Sequence, residues 1–145
     1  MNATPPSPGA AADRTELGQR WQRRSQLLLV VFGPVLILTG IGGFLIPSDR
    51  ALMSGAAPYN VFHLVAGTLG LLLALTRRPA AASAFNIGFG LIDLYQALAG
   101  IAGLFPAGLF ALRPADHVVH VVLGVLLVTV GWRGRPPVRS SGSAG

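Results

Sequence analysis

Apolar residues are gathered into four long runs, and polar residues are concentrated between them. The runs extend over about 27–46, 60–76, 80–104 and 116–132. Each is close to the roughly 20 apolar residues that cross a bilayer as a helix. Short connections between consecutive helices favour antiparallel neighbours. The pattern predicts an all-α protein, an antiparallel bundle of four transmembrane helices that occupies residues 27–132.

The two ends of the chain are different in composition from the runs. Pro and Ala are frequent at the start, and arginines then surround Trp21 up to the first run. We expect residues 1–26 to be a disordered and interfacial segment, because arginine binds lipid headgroups and indole prefers the membrane boundary. Residues 133–145 are rich in Arg, Ser, Pro and Gly. They are expected to form a disordered basic tail.

The basic residues show how the helices are oriented. The chain has no lysine and no cysteine, and its formal net charge is +6 at pH 7. The absence of cysteine excludes disulfides and thiolate metal sites. The arginines lie in short segments between uncharged runs, a distribution that argues against nucleic-acid binding. Only Arg50 and Arg113 lie in the loops opposite the termini. The positive-inside rule therefore predicts a multi-pass protein with both termini cytoplasmic. All basic residues are Arg, and Ala, Gly and Pro are abundant, a composition that suggests a GC-rich bacterial genome and hence the bacterial inner membrane.

The two halves of the chain resemble each other. The matching stretches are LTGIGGFLIP (38–47) with LAGIAGLFP (98–106), and NVFHLVAG (60–67) with HVVHVVLG (117–124). In this alignment Gly40 and Gly43 correspond to Gly100 and Gly103. The match predicts two tandem two-helix repeats, related by an approximate two-fold axis along the membrane normal.

Polar residues near the outer helix ends form a second pattern. His63 and His120 occupy equivalent positions in the repeat, and each is followed four residues later by a glycine on the same helix face. We predict an outer polar cluster that pairs the two hairpins, formed by Asn60, His63, Asp116, His117 and His120. We predict that small residues allow close helix packing at Gly40, Gly43, Gly67, Gly100, Gly103 and Gly124.

The two histidines also leave a cofactor alternative open. Haem iron accepts axial imidazoles, and facing helices of a bundle can hold a macrocycle beside small residues. A bis-histidine haem site on His63 and His120 is therefore an alternative to a structural cluster, although the structural interpretation is preferred and no cofactor is expected. A metal site with His117 as a third ligand is less favoured, since nothing in the sequence makes the three imidazoles converge.

The third run contains a carboxylate near the middle of the membrane. Asp93 lies on a helical stripe of small and polar residues that includes Asn86 and Gln96, and this stripe is expected to be buried. The opposite face carries Phe89 and other apolar residues. An intramembrane carboxylate is a candidate for function. Asp93 is therefore either a proton or cation relay, or a member of a hydrogen-bonded cluster with Gln96, Thr39 or an imidazole.

Three short motifs resemble those of a known family. They are G-x-x-G-F at 40–44, Asn-x-x-His-Leu at 60–64 and Asp-x-x-x-His at 116–120. In this order they resemble the bacterial four-helix membrane family catalogued as domain of unknown function 4383, over roughly residues 27–132. An asparagine often follows the aspartate in that family, where this chain has His117. The resemblance implies the four-helix topology and marks the outer polar residues as a signature, but it implies no activity.

The sequence contains no pattern typical of an enzyme. No nucleophile–base pair, phosphate-binding loop or carboxylate dyad is present, and the Gly-rich stretches lie inside apolar helices. The chain is therefore predicted to be a non-enzymatic membrane protein of unassigned activity. Its expected partner is the lipid bilayer. A second copy of the chain or another membrane protein is left open as a further partner.

Overall fold

The computed structural model describes residues 7–47, 49–76 and 78–136, which form helices and loops without a strand. The helices are α1 (Pro8–Leu45), α2 (Ala57–Leu75), α3 (Pro79–Ala102), α4 (Ala107–Phe110) and α5 (Pro114–Gly134). Four of them are long and apolar enough to cross a membrane, over Thr15–Leu45, Ala57–Leu75, Pro79–Ala102 and Pro114–Gly134. The predicted all-α, four-helix architecture is confirmed.

The first helix is longer than the sequence pattern indicated. It begins at Pro8, well before the predicted start at Leu27. Residues 9–26 are rich in Ala, Gln and Arg, which are strong helix formers, and extending an existing helix is easier than nucleating a new one. The expectation of a disordered segment therefore differs from the structure over 8–26, and residues 1–6 lie outside the described residues.

The last helix also differs slightly from the prediction. It continues two residues beyond the expected end at Trp132, to Gly134, because nothing before that glycine interrupts helical backbone. The predicted disordered tail lies mainly in 137–145, outside the described residues. Between α3 and α5 the structure has a short helix, α4, that the apolar pattern did not reveal.

The helices pack as two hairpins, α1 with α2 and α3 with α5. Their backbones approach closely at two pairs of glycines. A Cβ added at Gly67 would lie 2.7 Å from the carbonyl oxygen of Gly33, and one added at Gly124 would lie 2.8 Å from that of Gly90. Members of the two pairs occupy positions 57 apart, so both hairpins use the same kind of contact at the same height.

Contacts nearer the outer end show the same spacing. The Asn60 side chain lies where a Cβ of Gly43 would be, and the His117 ring lies where a Cβ of Gly100 would be. Gly43 and Gly100 are 57 positions apart, whereas the sequence alignment of the first and third helices pairs Gly43 with Gly103. Glycine recurs every few residues in both stretches, so shifting one stretch by three residues, nearly one helical turn, still aligns most of its residues with similar ones.

Gly103 differs from its predicted packing role. It follows the last residue of α3 with a φ of 66°, in the left-handed region that favours glycine, and a Cβ there would meet nothing within 4 Å. Gly103 therefore ends the helix instead of contacting another one. Gly40, Gly43, Gly67, Gly100 and Gly124 all lie where a Cβ would collide with a neighbouring helix.

A small polar cluster ties three helices together at the end bearing the chain termini. Ser25, Ser83 and Asn86 are all fully buried. The Ser83 hydroxyl donates to the Ser25 hydroxyl over 3.1 Å, and the Asn86 amide donates to the Ser25 carbonyl over 3.1 Å. Ser25 in turn donates to the carbonyl of Val130. Asn86, predicted as an intramembrane polar residue, thus belongs to a cluster that links α1, α3 and α5.

Phenylalanines fill the space between α2 and α3. Phe89 stacks on Phe62 with ring centroids 5.8 Å apart and on Phe85 at 5.6 Å. Phe89 is only 6% exposed, although the sequence pattern placed it on the outward face of its helix. The neighbouring helix α2 covers it, because the buried sector of α3 is wider than the polar stripe alone.

Candidate functional site

Tyr59 lies at the centre of a hydrogen-bonded network near the outer end of the bundle. Its side chain is fully buried. The hydroxyl donates to Asp116 Oδ1 over 3.1 Å and lies 2.8 Å from His120 Nε2. Tyr59 belongs to α2, whereas the other two residues belong to α5. The network therefore joins the first hairpin to the second.

Asp116 is the anchor of this network. The side chain has no exposed surface, and Oδ2 accepts hydrogen bonds from the backbone N–H of Ser54 at 3.0 Å and of Arg113 at 2.7 Å. With the Tyr59 hydroxyl it has three donors. Such hydrogen bonds stabilise a carboxylate strongly. The bond from Arg113 also caps the first turn of α5, and the bond from Ser54 holds the loop between α1 and α2.

The distribution of protons in the network follows from its donors and acceptors. An ionised Asp116 only accepts, so the single Tyr59 proton is directed to it. The Tyr59 oxygen then accepts from His120, and a neutral His120 carries its proton on Nε2. Its Nδ1 keeps a lone pair. This nitrogen is buried and has no hydrogen-bond partner in the part of the chain that the structure describes.

Two loops close over the outer side of Tyr59. The Ser54 hydroxyl donates to the carbonyl of Phe110, and the Arg113 guanidinium donates to the carbonyl of Ala51. The Phe110 ring lies 5.4 Å from the Tyr59 ring, between centroids. The loop between α1 and α2 is thus fastened to α4 and to the start of α5, which keeps water from the phenol.

His63 contacts the network through its ring. It lies edge-on to Tyr59, with centroids 4.2 Å apart, and only 4% of its surface is exposed. Its Nδ1 is buried without a hydrogen-bond partner among the described residues. His63 and His120 each follow the first residue of their helix by six positions, about 9 Å along the axis. The two imidazoles are therefore at similar depth.

Asn60 and His117 lie outside the hydrogen-bonded network. The Asn60 amide faces α1 and donates to the carbonyl of Gly55 over 3.1 Å. The His117 ring faces Gly100 on α3, and its Nδ1 is buried without a partner in the described segments. The five residues predicted as one cluster are thus divided. His63, Asp116 and His120 surround Tyr59. The other two each pack inside one hairpin, Asn60 in the first and His117 in the second.

Asp93 lies deeper in the bundle and is isolated. It precedes the end of α3 by nine residues, about 14 Å along the axis, and is 3% exposed. Asp93 Oδ2 and Gln96 Oε1 are buried without a hydrogen-bond partner among the described residues. Thr39 donates to the Val35 carbonyl instead. The hydrogen-bonded cluster considered for Asp93 is therefore not formed.

A cavity of about 170 Å³ connects these polar groups. Its walls come from α1 and α5, with α2 and α3 behind and the outer loop contributing one residue. The lining residues are Phe32, Val35, Leu36, Thr39, Met53, Tyr59, His63, Asp93, Val119, His120 and Leu123. Asp93 and the two histidines thus line one space. Within the described segments, no three His, Asp or Glu side chains are grouped as ligands for a metal ion.

Tyr59 was not identified as a site residue from the sequence. A tyrosine near a helix end is typical of the membrane interface, so its identity gave no reason to place it in the interior. The signal that could have found it is the spacing of 57, which pairs Tyr59 with Asp116. The same spacing relates 60–67 to 117–124, but these matched stretches begin one residue after Tyr59 and Asp116.

Comparisons with protein families, curated proteins and solved structures found no match to this chain. The resemblance to a four-helix family of unknown function stays a prediction. The functional argument therefore rests on the geometry of the cluster and the cavity.

Proposed function

We propose that this chain is a non-enzymatic, four-span protein of the bacterial inner membrane, in which a buried polar cluster joins two repeated hairpins. The observation that carries the proposal is the contact of Tyr59 on α2 with Asp116 and His120 on α5. Lipid cannot satisfy these groups, so pairing them across the hairpins favours one arrangement of the bundle. Both Tyr59 and Asp116 are fully buried, which suits a structural role better than catalysis.

The repeat is supported by contacts that recur 57 positions apart. The pair Gly33–Gly67 has its counterpart in Gly90–Gly124. Tyr59 and Asp116 are themselves 57 apart. A two-fold axis relating the hairpins would exchange these two residues, and it would therefore pass through the hydrogen bond between them.

The proposed orientation is supported by aromatic and basic residues at one end of the bundle. The Arg24 and Arg133 guanidiniums lie 4.5 and 4.8 Å from the Trp21 ring centroid, and that of Arg135 lies 3.6 Å from the Trp132 ring. Trp and Arg together are typical of the cytoplasmic membrane boundary. Arg77 and Arg139, two further arginines on the side predicted to be cytoplasmic, lie outside the described residues.

A double-mutant cycle between Tyr59→Phe and His120→Ala tests the structural role. Both variants and their combination are unfolded thermally in mild detergent. We expect the double variant to lose less stability than the sum of the single ones, with a coupling energy of about 0.5–3 kcal/mol, because the residues share one hydrogen bond. Strictly additive losses would show that the cluster does not couple the hairpins.

Haem binding by His63 and His120 is a second candidate, favoured by their common contact with Tyr59 and their similar depth. His120 Nε2 is already engaged by the Tyr59 hydroxyl. An engineered cavity of about 150 Å³ holds benzene, so a porphyrin would need α1 and α5 to separate. A Soret band in protein purified after haem-sufficient expression, lost in both His63→Ala and His120→Ala, would replace the structural proposal by this one.

A proton or cation relay through Asp93 is a third candidate, favoured because this carboxylate lines a cavity near the middle of the bundle. Flux into liposomes that contain the purified chain tests it. The relay requires a flux that Asp93→Asn abolishes. An absent flux, or one that this substitution leaves unchanged, removes the candidate.

A further inference from the structure

The cavity between α1 and α5 has the size of a small-molecule site. Its volume is about 170 Å³. An engineered cavity of about 150 Å³ in another protein binds benzene. The space therefore admits a compact molecule with a ring of about that size. Most of its lining is aliphatic or aromatic, and the polar side chains are those of Thr39, Tyr59, His63, Asp93 and His120.

The charge of the cavity is set by Asp93. Its side chain is 97% buried, and no hydrogen bond or ion pair satisfies Oδ2 within the described residues. Arginines in the described segments lie toward the helix ends or in loops, away from this depth. An ionised carboxylate near the middle of a membrane is costly unless a cation or a donor accompanies it. The cavity beside it has room for such a cation.

The imidazoles add acceptors to the same cavity. His120 Nδ1 keeps its lone pair when Nε2 donates to Tyr59, and both His120 Nδ1 and His63 Nδ1 lack partners among the described residues. A ligand with N–H groups could satisfy one carboxylate and at least one ring nitrogen. An anionic ligand would face the Asp93 carboxylate and the lone pairs of the imidazole nitrogens, which repel it. The chemistry therefore favours a positively charged donor.

The cavity lies between the two halves of the molecule, and two residues that line it differ from those at the corresponding positions of the repeat. At a spacing of 57, Val119 corresponds to Phe62, and Asp93 corresponds to Leu36. Phe62 stacks on Phe89 and fills the space between α2 and α3. The smaller Val119 leaves the equivalent space between α5 and α1 empty beside Phe32. The second half thus differs from the first at two positions that line the cavity. Val119 is smaller than Phe62, and Asp93 carries a carboxylate where the first half has Leu36.

One wall of the cavity lies at the surface of the bundle. Val35 of α1 lines it and is 48% exposed, and Val119 of α5 lines it as well. An amphiphilic molecule concentrated in the membrane could enter between α1 and α5 with its charged end toward Asp93. Met53 from the outer loop covers the cavity from the outer side.

We propose that this cavity binds a small organic ammonium ion, with its apolar body between α1 and α5 and its N–H groups on Asp93 and His120. The site shares His120 with the cluster of Tyr59 and Asp116, but the two proposals are tested by different measurements. A failure of either proposal leaves the other standing, because the cluster is tested by stability and the cavity by binding.

Binding is measured on the full-length chain purified in mild detergent, by calorimetry and by the shift in thermal unfolding. The probes are ammonium, methylammonium, tert-butylammonium and cyclohexylammonium, with cyclohexanol as the neutral control of matched shape and sodium as an inorganic cation. We expect saturable binding of at least one of the two larger ammonium ions. We expect cyclohexanol and sodium to bind at least ten-fold more weakly.

Two substitutions remove the charge and the space separately. Asp93→Asn keeps the shape of the side chain but loses the anion, and Val119→Phe introduces the residue found at the corresponding position 62. Each should weaken ammonium binding at least ten-fold. Leu98→Phe enlarges an exposed residue of α3 away from the cavity and should leave binding unchanged.

Several results would overturn the proposal. They are the absence of saturable binding by any of the ammonium probes, equal affinity for cyclohexanol or sodium, and unchanged affinity in Asp93→Asn. If Val119→Phe fails to fold, Asp93→Asn alone still decides, since the amide has nearly the same shape as the carboxylate and preserves the packing.

Discussion

The Tyr59 hydroxyl donates a 3.1 Å hydrogen bond to the carboxylate of Asp116, and the two residues stand 57 positions apart. Each is near the start of the second helix of its hairpin. The contact joins the two hairpins through unlike side chains, a phenol and a carboxylate, that complement each other. The phenol supplies the donor and the carboxylate the acceptor. Two phenols would leave one hydroxyl proton without an acceptor, and two carboxylates would have no donor between them.

Removing the hydroxyl of Tyr59 is expected to destabilise the bundle. In Tyr59→Phe, Asp116 Oδ1 loses its donor and stays buried, a change that costs about 1–3 kcal/mol. Thermal or denaturant unfolding in detergent, followed by tryptophan fluorescence, measures the loss. Tyr95→Phe is the matched control. Its hydroxyl donates to the Phe105 carbonyl at an exposed site, so it should cost less. Equal losses in both variants would contradict the central role of Tyr59.

The glycine contacts within the hairpins lead to a second prediction. Alanine at Gly67 would place a Cβ 2.7 Å from a backbone oxygen of α1, and alanine at Gly124 would place one 2.8 Å from a backbone oxygen of α3. Backbone cannot yield as a flexible side chain does, so each substitution should cost about 1–3 kcal/mol. Gly88→Ala is the control, because a Cβ there meets nothing within 4 Å. The measurement is again unfolding in detergent, and a tolerated Gly67→Ala would argue against this packing.

The four-helix architecture could be predicted from the sequence because lipid imposes it. A helix that crosses a membrane needs an uninterrupted apolar run, and four such runs are visible without knowledge of any contact. The start of α1 at Pro8 could not be predicted in this way, because residues 8–26 are polar and carry no length constraint. These residues are helical because their side chains favour helix and because the membrane-spanning part of α1 follows them without a break.

The site could be predicted only in part. His63, Asp116 and His120 stand out as polar residues in apolar runs, and they do gather at one depth. Their organiser, Tyr59, is an ordinary interface residue by sequence. The separation of Asn60 and His117 from the network depends on helix rotation, which is fixed by glycine contacts whose register the repeated glycines obscured. The cavity depends on Val119 being smaller than Phe62. These two residues can be compared only when their places in the two hairpins are known, and the sequence alone does not show them.

Labelling of single cysteines tests the proposed orientation. The chain has no cysteine, so each introduced thiol is unique. Leu52→Cys lies in the loop between α1 and α2 at a position that is 84% exposed, whereas Gly18→Cys lies near the opposite end of the bundle, where added atoms meet no neighbour. In spheroplasts, a membrane-impermeant maleimide should label only the first. The second should react after lysis. Labelling of Gly18→Cys in intact spheroplasts would reverse the assigned sides.

The two buried carboxylates of the bundle should respond in opposite directions to the same substitution. Asp93→Leu removes an unpartnered acid near mid-membrane and introduces the residue found at position 36, so stability should rise by up to about 2.5 kcal/mol. Asp116→Leu removes the acceptor of three hydrogen bonds, two of them buried, and should lower stability by about 3 kcal/mol or more.

Unfolding of both variants in one detergent gives the comparison. A gain of stability on losing Asp93 is the mark of a group retained for function at the expense of the fold. A loss in Asp93→Leu similar to that in Asp116→Leu would mean that Asp93 has structural partners in the membrane, and the ammonium site would then lose its unsatisfied anion.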